Sequence, residues 1–304
     1  MSKRTLLGLT LDELTALVQE VGEPKYRAKQ LAEWLYVKRV TTLDEMTNLP
    51  KALRAKLEAC CTIGRSPVAL TQVSRDGTEK YLFRKLDRPE QTFETVYIPE
   101  EDGRATLCIS SQVGCRMGCR FCATGQMGFH GHLTAADVIN QVLSVPHSDA
   151  LTNVVFMGMG EPLDNYNNVV KFLRLVHEPD GIGIGLRNIS LSTCGLVDKI
   201  YSLAQLHLGI TLSISLHAPN DDIRRQTMPV AKVWPIEKLI EAARMYVKTT
   251  GRRVIFEYTL IKGVNDSRDN ATELAGRLRG MQCHVNLIPL NKVKERKFDK
   301  ATDL

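Results

Sequence analysis

Six short apolar segments, each separated from the next by an interval with helical patterning, constrain this chain more than any other feature. They run over 106–110, 153–157, 188–192, 210–216, 254–260 and 284–290. The clearest helix begins at Pro235 as a first-turn proline and places Ile236, Leu239, Ile240, Ala243 and Val247 on one face. Strands alternating with helices predict a parallel sheet, because a crossover must return the chain to the same end of the sheet before the next strand begins. The fold class is therefore α/β, either doubly wound or a partial (β/α)6 barrel. Segments rich in Gly, Cys, Ser, His and Asn fall just past the strands, at 114–122, 158–162, 192–195, 215–219 and 289–291. That placement favours the barrel, whose C-terminal strand ends form a shared functional rim.

The N-terminal part reads differently. Thr10 and Glu13 make a capping box ahead of Leu14, Leu17 and Val18, Leu31, Trp34 and Leu35 line one face of the next segment, and Thr42 with Glu45 repeats the box. Residues 68–73, 81–84 and 93–98 are strand-like, with the turn signal Arg75-Asp76-Gly77 between the first two. These patterns divide the chain into a helical module over 1–62, a β connector over 63–100 and a core over 101–304.

With 304 residues, 43% of them hydrophobic, the chain can bury a proper interior, which argues against disorder. A formal charge of +6 permits a polyanionic partner without demanding one. No stretch approaches the ~20 apolar residues that span a bilayer, and Gly8, Asp12 and Glu13 interrupt any signal-peptide core. A cytoplasmic protein without a membrane partner is expected. Its eight cysteines then read as reduced thiols that bind metal or do chemistry.

Cys115, Cys119 and Cys122 form C-x3-C-x2-C, with Gly114 and Gly118 to let the backbone curl. Three thiolates in one loop can hold three corners of a 4Fe–4S cubane and leave the fourth iron open to a small molecule. The competing reading is structural zinc, with Cys108, His130 or His132 as a fourth ligand. Zinc sites more often use C-x2-C pairs separated by a longer loop.

The cysteine loop resembles that of the radical-SAM superfamily. The segments Phe93–Pro99, Cys108–Cys115, Gly158–Leu163, Leu191–Thr193 and Ser215–Asn220 resemble, more narrowly, the dual-specificity RNA methyltransferases of the RlmN and Cfr type. The resemblance runs from the N-terminal helices to the last residues and leans toward RlmN. It implies a 4Fe–4S cluster on Cys115, Cys119 and Cys122, S-adenosylmethionine (SAM), a reducing donor of flavodoxin type and a monomer. It implies methylation of adenine C2 in 23S rRNA and in tRNA beside the anticodon. In that chemistry one SAM methylates a cysteine, and a 5′-deoxyadenosyl radical from a second abstracts hydrogen from the new methyl group.

Carried over residue by residue, the resemblance makes Glu94 a proton acceptor, with Cys108 as a rival for removing the C2 proton. It makes Cys108 the cysteine that forms a disulfide with the methyl-carrying cysteine and so resolves the protein–RNA crosslink. Gly160 and Glu161 would receive the amino group of SAM. Ser192, Ser215, Leu216 and His217 would hold ribose and adenine, with Asn291 as a later adenosine contact. The family places its methyl-carrying cysteine near the C-terminus, a context that neither Cys194 nor Cys283 occupies in a sequence ending at Leu304. A shortened chain that binds cluster and SAM without transferring methyl is accordingly one alternative. A Cfr-like C8 methyltransferase, another radical-SAM enzyme such as an activase, and a zinc-stabilised RNA-binding protein are the others. Arg116, Arg120, Arg224, Arg225, Arg252, Arg253, Lys292, Lys294, Arg296 and Lys297 are candidates for phosphate contacts, each weighed against an ordinary solvated surface.

Overall fold

A computed structural model describes residues 3–291 and 299–301. They fall into two compact units that do not follow chain order. One comprises residues up to 111 together with 132–154 and 167–185, and the other comprises 112–131, 155–166 and the residues from 186 onward.

The first unit opens with the helix Leu11–Glu20, capped as its sequence predicts: Thr10 N donates to Glu13 Oε2 at 2.8 Å and Leu14, Leu17 and Val18 are buried. The next helix departs from its pattern. Arg27–Ala32 runs into a π turn over Glu33–Val37, and the wider turn rotates the following side chains, so Leu35 and Tyr36 are buried while Trp34 is only half-buried. Tyr36 then donates its hydroxyl to Leu9 O at 2.6 Å. The second capping signal caps no helix: the backbone N–H groups of Thr41 and Thr42 both donate to Glu45 Oε1, at 3.0 and 2.7 Å, and close a turn instead. Local side-chain capping is as good at stabilising a turn as at starting a helix.

An antiparallel arrangement follows, with strands Val68–Val73, Glu79–Arg84, Thr92–Pro99 and Ala105–Cys108 paired in that order. Strand alternation turns Tyr81, Phe83, Phe93, Thr95, Tyr97 and Leu107 to the core, with Phe83 and Phe93 stacked at 5.8 Å. The helix Ala135–Ser144 buries Asp137, Asn140 and Gln141 along with its apolar residues. Gln141 accounts for three backbone or hydroxyl groups. Its Oε1 accepts from Ser110 N at 2.8 Å and Thr95 Oγ1 at 2.7 Å, while Nε2 donates to Ser110 O at 2.9 Å.

The second unit holds parallel strands Ile189–Thr193, Thr211–Ser215, Val254–Leu260 and Cys283–Pro289, hydrogen-bonded in chain order. Neighbours in chain order mean that the winding never reverses, as in a β/α barrel; a doubly wound sheet reverses at a switch point. Leu191, Leu212, Ile214 and Phe256 are buried, and the helix Ile236–Thr250 buries Ile236, Leu239, Ile240, Ala243 and Tyr246. Pro235 occupies the cap position of that helix, one residue earlier than its sequence placed it. Gly251 ends it at φ +66°, the left-handed geometry that glycine adopts without steric cost. The strand Cys283–Pro289 pairs with Val254–Leu260 and stays largely open, with Leu287 59% exposed.

Gln141→Leu should therefore lower unfolding free energy by about 3 kcal/mol, since it strands three buried polar groups at roughly 1 kcal/mol or more apiece. Urea unfolding against the parent chain measures it.

Candidate active site

The cysteine loop begins where the strand Gln112–Gly114 pairs with Phe129–His132. Cys115 N donates to Gly128 O at 2.8 Å, and at Gly114, with φ +71°, an added Cβ would lie 1.8 Å from that same oxygen. Only glycine permits so close a passage. Farther along, Cys122 N donates to Cys119 O at 3.1 Å, and Arg120 N donates to Thr227 O at 2.8 Å. Behind the loop, Met117, Cys119 and Phe121 pack on buried Cys194, Met228 and Val230.

Burial pushes the Cys115 thiol up to about 11, against the opposing pull of the Met117 N–H, and pushes Cys119 up to about 12, with the neighbouring Cys122 and Cys115 adding to the rise. Both thiols are protonated at neutral pH, so taking up a metal centre must release protons.

Next to the loop stands Glu161, 3% exposed. Its Oε2 accepts from Cys194 N at 2.7 Å and its Oε1 from Leu163 N at 3.0 Å, while its own N–H donates to Gln112 Oε1 at 2.9 Å. Burial raises its pKa and the hydrogen bonds from Cys194, Thr193 and Leu163 lower it. The preceding Gly160, at φ +100°, lies where a Cβ would come 2.5 Å from Gln112 Cβ.

His217 caps the next strand end at φ +53°. Its Nδ1 accepts from Thr259 N at 2.9 Å, which places the ring proton on Nε2. Burial and then the charge of Arg224 depress its pKa to about 3, so it is a neutral donor. Phe121 packs edge-on against it at 4.8 Å.

These groups line one cleft of about 380 Å³, within the range of small-molecule sites. Of the residues singled out from sequence, Cys115, Cys119, Cys122, Gly160, Glu161, Ser192, Ser215 and His217 line it. Leu216 does not: it is fully buried, and its N–H donates to Glu257 O at 3.1 Å. Asn291 stands exposed past the last strand, and the asparagine of the lining is Asn286. Glu94 and Cys108 belong to the other unit, half-buried on the face of its antiparallel strands opposite Phe93, Thr95 and Leu107. There Cys108 pairs with Val96, Glu94 is paired with Leu82, and Lys80 Nζ donates to Glu94 Oε1 at 3.1 Å.

Other residues of the site escaped the sequence reading. Glu257, Thr259 and Asn286 line the cleft, and Asn286 Nδ2 donates to Glu257 Oε2 at 2.8 Å. A carboxylate inside the mostly apolar run 254–260 was the available signal. Arg224, read as a candidate for phosphate, is fully buried and donates to backbone carbonyls. Arg116 pairs with Asp164 at 3.0 Å and Arg225 with Asp221 at 3.7 Å. Lys292, Lys294, Arg296 and Lys297 lie outside the described residues.

The donor set fits an iron–sulfur cluster. Cys115, Cys119 and Cys122 line the same cleft and can hold three irons of a cubane, and the cleft leaves room for a ligand of its open iron.

Comparison with known proteins agrees with this geometry. Residues 109–275 match the model of the radical SAM superfamily, and residues 4–63 match that of the ribosomal RNA large subunit methyltransferase N-terminal domain. A radical SAM methyltransferase from Sphaerobacter thermophilus superposes with a TM-score of 0.92 at 45% identity, covering 98% of this chain and 89% of that one. The class is thus a SAM-dependent radical enzyme, with a 4Fe–4S cluster and SAM as its cofactors. The chain is 46% identical over 301 residues to "Probable dual-specificity RNA methyltransferase RlmN" of Clostridium novyi (strain NT), covering 98% of this chain and 87% of the relative. A protein of the same name from Symbiobacterium thermophilum is 45% identical over 301 residues, with 97% and 80% covered. The chain belongs to the RlmN family of dual-specificity RNA methyltransferases.

The buried neutral imidazole has a consequence for stability. A histidine depressed to about 3 in the folded chain and near 6.5 when unfolded leaves the unfolded state with the extra proton between those values. Its contribution is whole above about 6.5 and lost as pH falls toward 3. Comparing unfolding free energies at pH 4 to 7, the parent chain should lose about 1.4 kcal/mol per pH unit more than His217→Gln at the steepest point. Equal slopes would show that His217 is charged in the fold.

Proposed function

We propose that this RNA methyltransferase acts on adenine C2, in 23S rRNA and in tRNA beside the anticodon. The observation that carries the reading is the meeting of three thiols, Glu161, Ser192, Ser215 and His217 in one cleft, in a chain of the RlmN family. Adenine C2 is not nucleophilic, so ordinary transfer from a sulfonium does not reach it. The cluster and SAM, when bound, supply the one-electron chemistry that does.

The chain's own residues then have separate tasks. Cys115, Cys119 and Cys122 hold the cluster and leave one iron open. Glu161 complements the amino group of SAM, and the turn at Gly160 lets the backbone pass closely. Ser192 and Ser215 offer hydroxyls to ribose and adenine, and His217 offers Nε2–H, its other ring nitrogen being occupied by Thr259 N. Leu216 acts through its backbone, which fixes the turn, and Asn286 is better placed than Asn291 for an adenosine contact because it lines the cleft. Glu94 accepts a proton, and Cys108 resolves the protein–RNA crosslink through a disulfide with the family's methyl-carrying cysteine, a role that neither Cys194 nor Cys283 fills. The N-terminal helices serve as an RNA-docking module, a role the match over residues 4–63 supports. A flavodoxin-type donor provides electrons, and the enzyme works as a cytoplasmic monomer. Among the described residues no helix is long and apolar enough to cross a membrane.

Two measurements test this. Mass spectrometry of RNA from cells with and without the intact gene should show 2-methyladenosine in 23S rRNA and tRNA only when the gene is present. Appearance of 8-methyladenosine instead would refute the C2 assignment. After anaerobic reconstitution, Cys119→Ala should retain less than about a tenth of the parent's cluster iron, because the motif supplies three protein ligands and no spare. Full iron retention, or stoichiometric zinc without sulfide in the parent, would refute the ligand assignment.

A further inference from the structure

Arg224 lies on the short helix Asp221–Thr227 and is 0% exposed. Its guanidinium is surrounded by backbone carbonyls: Nε donates to Leu216 O at 3.2 Å, Nη1 to Trp234 O at 3.4 Å, and Nη2 to Cys194 O at 2.7 Å and Ser215 O at 3.3 Å. Gly195, at φ +101°, keeps the approach open, since a Cβ there would sit 3.4 Å from Nη2 and 2.8 Å from Leu239 Cδ1. Among the described residues no carboxylate forms an ion pair with it. Asp221, the acid on the same helix, accepts instead from Ile236 N at 3.0 Å and faces Arg225 at 3.7 Å.

Carbonyls alone are an incomplete answer to a buried full charge. They solvate it, but they do not neutralise it, and a buried cation is costly unless an anion compensates. The chain places its cluster loop against this cation. Cys119 packs on Cys194, whose carbonyl Arg224 holds, and Arg120 N bonds to Thr227 O at the end of the arginine's own helix.

We propose that Arg224 is the built-in counter-ion of the iron–sulfur cluster, a positioning residue that favours the cluster's reduced state. This rests on the cofactor assignment above. Three thiolates outweigh the positive charge of the oxidised core, and accepting an electron adds one more negative charge. A fixed cation beside it stabilises the reduced form more than the oxidised one, and so raises the reduction potential, which depends on net charge and surroundings. Burial works against charge on Arg224, and negative charge at Cys194, Cys119 and Asp221 favours it; the Cys119 sulfur carries that charge only as a thiolate ligand.

The test is the midpoint potential of the full chain, reconstituted anaerobically with iron and sulfide and titrated before SAM is added. Arg224→Gln and Arg224→Met, compared with the parent at equal bound iron and sulfide, should show a midpoint shifted to more negative values. Arg224→Lys, which keeps the charge but not the four-carbonyl geometry, should leave it where it is. A midpoint unmoved in the fully loaded neutral variants overturns the proposal, as does a fall in Arg224→Lys as large as theirs. If neither neutral variant folds, Arg224→Lys decides alone: an unmoved midpoint supports the counter-ion role and a more negative one overturns it. A parent chain that takes up zinc and no sulfide overturns the cofactor assignment as well, an outcome that metal analysis separates from the rest.

Discussion

The C-terminal ends of the parallel strands leave backbone N–H and C=O groups that the sheet itself cannot pair, and two buried ionisable side chains of complementary kind gather them. Arg224 collects carbonyls from Cys194, Ser215, Leu216 and Trp234, and Glu161 collects N–H groups from Cys194 and Leu163. The two meet at one residue, since Cys194 gives its carbonyl to the arginine and its N–H to the glutamate. Removing either partner would strand several buried polar groups at once. The turns that carry Ser192, Ser215 and His217 are held by this arrangement, and the cleft depends on them.

The chemistry of the cleft follows from the same burial. Burial raises the Cys115 and Cys119 thiols, so they are protonated at neutral pH, and keeps His217 neutral so that it can donate a hydrogen bond without adding charge. Aliphatic and aromatic side chains, among them Met117, Phe121, Phe156 and Met228, supply the apolar part of the same lining. Polar groups so enclosed interact more strongly than they would in water. The surroundings thus suit a small polar ligand next to a redox-active centre.

Legibility of the sequence varied with the range of the interactions that decide each feature. All six strands of the core fall where the apolar runs place them, to within two residues at most ends, and Thr10 caps its helix as its spacing with Glu13 predicts. Thr42 and Glu45 have the same spacing and cap only a turn, because the helix that follows starts past Pro50, at Lys51–Cys60, too far on for them to cap. The π turn at Glu33–Val37 moved Tyr36 inward and Trp34 outward, a rotation that no helical period anticipates. At the site, adjacent cysteines and glycines were legible since they are close in sequence. The pairing of Glu257 with Asn286 depends on the register of two strands 29 residues apart in the chain, and only pairing reveals it.

Local spacing by itself picked out the three cysteines of one loop, the glycines at 114 and 118 beside them, and the alternation of strands and helices. These are matters of chemistry and sterics within a few residues. Tertiary structure alone decided which charges are buried. Arg224 and Arg225 are neighbours on one short helix, identical in composition and equally able to meet a phosphate. Helical geometry turns the first into the interior and leaves the second with Asp221 and Asp222. Whether a cation serves water or a buried site depends on what the rest of the chain packs around it.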